Sequence, residues 1–283
     1  MNTGNVSALV TKRPKRLYSG YVFDLDGTVY LGDVLLPNAA ETIAAIRRTG
    51  SRVVYVTNKP LHTADDYAQK LTHLGVPTTR ADVVTSVDAL VDYLKREHSR
   101  ANLLAVAEDS AIRELRRAGF TVTADPRDAQ VVVVSFDRTF SYDKLNAAFQ
   151  AVHYGGAAIV ATNPDPYCPT PEGGIPDCAA MLAAVEACTG AQAEAIVGKP
   201  SVHMARALLG RLGVIAEDVA VVGDRLLTDI TMARSLGMIG VLTLTGATHA
   251  DSLCDAPVKP DYVIEDLGDL LPEGFSLNKE ETE

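Results

Sequence analysis

Tyr21-Val22-Phe23-Asp24-Leu25-Asp26-Gly27-Thr28 is the stretch on which the fold turns. An apolar run of strand length ends on an acid, a second acid follows two residues later, and a glycine lets the chain turn away. In a parallel strand this puts Asp24 at the carboxyl edge, where open α/β sheets hold their ligands. Carboxylates at i and i+2 point the same way while the backbone stays extended. Outward from this stretch, residues 39–48 read as a helix, 52–57 as a strand and 63–74 as a helix. Pro37, Gly50 and Gly75-Val76-Pro77 supply the helix punctuation. Strand-helix alternation of this kind is the sequence form of a parallel sheet wrapped by helices, so the expected class is α/β.

The middle of the chain repeats the style, with strands expected at 101–106, 131–135 and 158–162 and helices at 110–118, 142–152 and 177–189. After Gly198 come a helix at 201–209, a very apolar strand at 219–222, a helix at 229–236, and strands at 239–242 and 262–264. The Pro/Gly-rich run 163–176 reads as a long surface loop.

With 283 residues, the chain has room for one large α/β domain or two medium ones. It is 47% hydrophobic and 22% charged, and no apolar run approaches the roughly 18 residues of a membrane span, so a soluble protein is expected. Lys12, Arg13, Lys15 and Arg16 are not followed by an apolar leader segment, which points to a cytoplasmic home. A formal charge of -10 weighs against nucleic acid and anionic membrane as partners, and the basic cluster reads as a solvated tail. Cys168, Cys178, Cys188 and Cys254 form no CxxC pattern, so reduced structural thiols are expected.

Asp24 and Asp26 held together repel unless a cation is near. Magnesium suits the position, because it takes oxygen ligands and bridges carboxylates to phosphate. An aspartate can also accept a phosphoryl group. Read alone, the pair has a second, weaker reading as caps of the turn that follows. Three later segments bear on the choice. Val53-Val54-Tyr55-Val56-Thr57-Asn58 ends a strand in a hydroxyl and an amide suited to phosphate oxygens. Gly198-Lys199-Pro200 sets a lysine before a helix, where its charge can offset that of a phosphoryl group. Gly223-Asp224-Arg225-Leu226-Leu227-Thr228-Asp229 is a second strand-to-acid constellation, with Asp224 placed to ligate a hard cation and Asp229 to hold a metal-bound water or orient Lys199.

In this order the four segments resemble the haloacid dehalogenase-like superfamily, and within it the 4-nitrophenylphosphatase-like sugar and nucleotide phosphatases with a large α/β cap. The resemblance covers residues 16–271. It implies a three-layer α/β/α Rossmann-like core at 16–83 and 198–273, an inserted α/β cap at 84–197, and tails at 1–15 and 274–283. It further implies Asp24 as nucleophile, Asp26 as general acid/base, and Thr57, Asn58 and Lys199 as the phosphate-binding set. Mg2+ would be held by Asp24, Asp224 and the Asp26 carbonyl, with Asp229 behind them. Asp26 argues against dehalogenation. Lys59 stands where relatives more often carry Asn. In the cap, Asn163 and Asp165 are expected to line or shape the pocket, Asp177 to make a polar contact or cap a helix, and Tyr167 and Cys168 to add an apolar edge. The implied activity is magnesium-dependent hydrolysis of a small phosphorylated metabolite through an aspartyl-phosphate. The organic group stays open among sugar or polyol phosphate, phosphoglycolate, pyridoxal phosphate and nucleoside monophosphate. Relatives commonly form homodimers through the cap. Two alternatives stay open: a phosphomutase or other phosphotransferase on the same intermediate, and a non-catalytic metabolite-binding protein.

Overall fold

The computed structural model describes residues 12–170, 173–253 and 256–275, so Cys254 and most of both expected tails lie outside the described residues. In chain order the strands are β1 (Gly20–Asp24), β2 (Tyr30–Leu31), β3 (Val34–Leu35), β4 (Arg52–Thr57), β5 (Val83–Thr85), β6 (Leu103–Val106), β7 (Val131–Val134), β8 (Ala158–Ala161), β9 (Tyr167–Thr170), β10 (Gly173–Pro176), β11 (Ala195–Ile196), β12 (Val219–Gly223), β13 (Ile239–Thr243) and β14 (Tyr262–Ile264). The helices are α1 (Ala39–Arg48), α2 (Ala64–His73), α3 (Ser86–Glu97), α4 (Asp109–Arg117), α5 (Tyr142–Phe149), α6 (Cys178–Thr189), α7 (Val202–Leu212) and α8 (Thr231–Ser235). Two compact units result. One comprises the chain up to Val56, Ala68–Asp82 and the chain from Leu208; the other comprises Thr57–Tyr67 and Val83–Ala207.

The first unit is built on a parallel sheet in the order β14-β13-β12-β1-β4. β1 pairs with β12 from Gly20↔Val219 to Phe23↔Val222 and with β4 from Gly20↔Arg52 to Asp24↔Val56. Every residue of β1 and β12 is buried, as their unbroken apolar runs require of strands covered on both faces. Tyr21 and Phe23, two apart and so on one face, stack at 5.9 Å between ring centroids. Each such side chain removed from water contributes on the order of 1.5–3 kcal/mol. After Asp24 the chain folds tightly: the Leu25 carbonyl accepts from the amides of Thr28, Val29 and Tyr30, and Gly27 turns at φ 86°. The β2–β3 hairpin that follows has exposed Leu31 and Val34 at its tip.

The basic cluster is exposed to solvent, as expected of a tail, yet several of its side chains have partners. Arg16 pairs with Asp218 at 2.5 Å and lies over the Tyr18 ring, Arg13 pairs with Asp269, and Lys12 bridges to Val263. Acids and rings already on the surface of this unit give those cations partners.

The second unit carries a parallel sheet in the order β11-β8-β7-β6. Its core joins Val132, Val134, Ile159 and Ala161 to Met181, Leu182 and Val185 of α6. Asp177 caps α6 through the Cys178 amide, and Gly190 ends that helix in the left-handed region at φ 73°. The run expected as a loop at 163–176 contains instead the antiparallel pair β9–β10, with Ile175 opposite Cys168. Its prolines do not prevent this, because a two-stranded ribbon is all edge and a missing N–H can face outward. Sequence periodicity also passed over α3, which opens with a capping box between Thr85 and Asp88. Residues 226–230 form a π-helical turn, so the helix expected from 229 is confined to α8. Among the described residues no helix is long and apolar enough to cross a membrane.

Candidate active site

The carboxyl edge of the first sheet gathers acids from two neighbouring strands. Asp24 ends β1, Asp224 follows β12, and Asp229 lies in the turn after it; all three are buried. Their carboxylate oxygens approach to within 4.8 Å of one another. Asp229 thus offers an oxygen close to those of the first two acids. The Asp229 carboxylate also accepts from the Arg225 amide at 3.2 Å and the Thr228 hydroxyl at 3.3 Å. Asp26, by contrast, is exposed, and the Gly27 amide beside it donates to the Tyr30 carbonyl at 2.8 Å.

Asp224 is fixed by backbone that the motifs did not announce. The Ala247 amide donates to its Oδ2 at 2.6 Å, and the Thr248 amide donates to its carbonyl at 3.2 Å. A Cβ on Gly246 would overlap Oδ2, and one on Gly27 would lie 2.6 Å from it. Thr245 adds a hydroxyl hydrogen bond to the Gly27 carbonyl at 2.7 Å. The signal for this loop was present but faint: a glycine just past a strand end, at the sheet edge where ligands bind. Three buried carboxylates at such separation repel, and their oxygens form a hard donor set that a divalent cation would balance. The residues fit such an ion.

The second unit gathers the other expected residues. The Thr57 hydroxyl accepts from the Lys59 amide at 3.1 Å, which leaves its hydrogen for another acceptor. Asn58 reaches Lys199 and Asp165: its Oδ1 accepts from the Lys199 amide at 2.7 Å, and its Nδ2 donates to the Lys199 carbonyl at 3.0 Å and to Asp165 Oδ2 at 2.8 Å. Asn163, wholly buried, donates to Asp165 Oδ2 at 2.9 Å and Asp177 Oδ1 at 3.2 Å. Burial pushes the Asp177 carboxyl above its usual range, against the pull of the Cys178 amide and Asn163. Cys178 is buried beside it, its thiol pushed up to about 11, mainly by desolvation. It is a packed thiol and not a nucleophile. Cys168 is also buried, whereas Tyr167 is exposed.

A parallel α/β sheet with an inserted second α/β unit, and a trio of buried aspartates at its carboxyl edge, defines a Rossmann-like protein equipped for a divalent cation. Residues 21–121 match the haloacid dehalogenase-like hydrolase family, and residues 196–270 match a HAD-hydrolase-like family. The chain is 35% identical to the sugar-phosphatase AraL of Bacillus subtilis, over 89% of this chain and 92% of that protein. It is 32% identical to the ribonucleotide monophosphatase NagD of Escherichia coli, over 88% and 96%. A crystal structure of 4-nitrophenylphosphatase from Thermotoga maritima superposes with a TM-score of 0.85 at 33% identity, covering 89% of this chain and 96% of that one. The chain belongs to the haloacid dehalogenase-like hydrolases. Within them it is a phosphatase, a phosphoric monoester hydrolase.

Proposed function

We propose that the chain hydrolyses phosphomonoesters of small metabolites with magnesium, through an aspartyl-phosphate on Asp24. The observation that carries this reading is the placement of Asp24 at the end of β1 within 4.8 Å of Asp224 and Asp229. Those three carboxylates, with the Asp26 carbonyl, are the groups that would hold magnesium, which when bound supplies positive charge opposite the substrate phosphate. An Asp24 oxygen attacks phosphorus, and the bond from phosphorus to the ester oxygen breaks as Asp26 gives that oxygen its proton. Asp26, now a base, takes a proton from water, whose oxygen attacks the same phosphorus and releases inorganic phosphate and the Asp24 carboxylate. Exposure of Asp26 suits a group that must exchange protons twice per cycle. The Thr57 hydroxyl and the Lys199 ammonium hold equatorial phosphate oxygens.

Selection of the leaving group is assigned to the inserted unit, with the β9–β10 hairpin and its exposed Tyr167 as the part offered to it. Sugar and polyol phosphates, phosphoglycolate, pyridoxal phosphate and nucleoside monophosphates form the substrate range, and relatives named for sugar and ribonucleotide substrates support its two ends. A cytoplasmic location and a homodimer through the inserted unit complete the proposal.

Phosphate release from a panel of these esters, with and without magnesium, tests the reading. Release is expected only with magnesium, and Asp24→Asn, folded by circular dichroism, should lower kcat about 10,000-fold or more. Unchanged turnover in that variant would remove Asp24 as nucleophile. Transfer to a second acceptor without free phosphate would mark a phosphotransferase.

A further inference from the structure

We infer that the Asn58 side chain positions Lys199 and does not itself bind phosphate, and that Asp165 and Asn163 are the bracket that holds it. A primary amide has two hydrogens to give and one oxygen to accept with. In Asn58 one hydrogen goes to the Lys199 carbonyl and the other to Asp165 Oδ2, while the oxygen takes the Lys199 amide. Nothing on the side chain is left for a phosphate oxygen. Chemistry decides the orientation of the amide: turned over, it would set N–H against the Lys199 N–H and oxygen against both the Lys199 carbonyl and a carboxylate.

The side chain therefore reads both backbone polar groups of a single residue, as a neighbouring strand would, and so sets the direction in which the lysine side chain leaves the main chain. The approach is close. A Cβ on Gly198 would overlap the Thr162 carbonyl and lie 2.7 Å from Asn58 Oδ1, so no side chain can stand between. Asp165 Oδ2 is shared with Asn163, whose second hydrogen goes to Asp177 and whose oxygen accepts from the Thr162 hydroxyl at 2.8 Å. The loop bearing Asn58 is itself pinned: Ser86, Tyr67 and Ser110 donate to the carbonyls of Asn58, Lys59 and Pro60 at 2.7, 3.0 and 3.0 Å. Asn163 and the Oδ2 oxygen of Asp165 accordingly brace the lysine through Asn58.

This inference rests on the reading of Lys199 as the cation that meets the phosphate. A residue acting only through Lys199 loses its effect once the lysine side chain is gone. The test is a cycle of wild type, Asn58→Ala, Lys199→Ala and the double variant, with kcat and KM measured on 4-nitrophenyl phosphate and folding checked by circular dichroism. Asn58→Ala is expected to lower kcat/KM about 10- to 100-fold, and the double variant to match Lys199→Ala to within about threefold. A larger further loss in the double variant, or wild-type kcat/KM in Asn58→Ala, overturns the inference. Full activity of Lys199→Ala alone overturns the underlying reading and the inference with it, and that result is visible before the double variant is made. Should Asn58→Ala fail to fold, Asp165→Ala enters the same cycle with the same two outcomes.

Discussion

Asp224 is a carboxylate set by its neighbours' backbone. The Ala247 amide grips one oxygen, and Gly246 leaves that oxygen the space it occupies. Gly246→Ala would push Asp224 away from Asp24 and Asp229, and the expected result is a kcat/KM about 10- to 100-fold lower with a higher magnesium requirement. A magnesium titration of activity checks it, and an unchanged half-saturating concentration would show that Asp224 had not moved. At this scale Asp24 and Asp224 were legible from sequence, because each stands at the end of an apolar strand run, and Asp229 through the spacing that follows the second. Gly246 was not, since its partner lies more than twenty residues away and the contact exists only in space. Asn58 was legible as a residue of the site but not in its task. An amide beside a strand end looks the same whether its hydrogens go to phosphate or to a main chain.

Elements were read best where composition was extreme. The four valines of β7 could hardly be anything but a buried strand. The β9–β10 hairpin escaped because prolines and glycines signal a loop unless the pairing partner is known. The carboxyl edge of the second sheet holds ion pairs that no periodicity reveals. Following β7, Arg138 forks onto Glu108, just before α4, with Nε at 2.6 Å and Nη2 at 2.8 Å. Asp137 beside it, wholly buried, accepts from Lys144 of α5 at 2.5 Å. The hydrogen bond from Arg138, more than its charge, holds the Glu108 carboxyl below its ordinary value of 4.5. A carboxyl lowered in the folded state stabilises above its unfolded pKa, and the gain is lost as pH falls through the folded value. Arg138→Ala should therefore lower Tm near neutral pH and match wild type in acid below the Glu108 titration. With Arg138 half exposed, solvent screening keeps the effect to about 1 kcal/mol or less. Thermal melts across pH 3 to 7 would show it, and a Tm gap independent of pH would refute the pairing.

Over the whole molecule the inserted second unit was legible only through the family resemblance of the four motifs, because strand-helix alternation runs on unchanged from one unit into the other. The place of Thr57–Tyr67 in that unit was not, because the hydroxyls of Ser86 and Ser110 that reach the Asn58 and Pro60 carbonyls come from much later in the chain. Bringing three aspartates together costs stability that a bound cation returns. At a magnesium concentration a hundredfold above the dissociation constant the gain is about 2.7 kcal/mol. Chelation should therefore stop turnover and lower Tm by several degrees, and both should recover when magnesium is restored. Calorimetry with and without chelator measures it, and an unmoved Tm would mean that the acids bind no ion in the folded protein.

The pairing of β1 with β12 sets a timetable for synthesis. Gly20 emerges from the ribosome before the inserted unit, and its partner Val219 only after it. The second sheet lies in one continuous stretch and can close first, while β1 waits with one hydrogen-bonding edge open beside β4. A nascent chain of this protein thus carries β1 half covered until β12 is made, and the aspartates on either side of that gap come together only then.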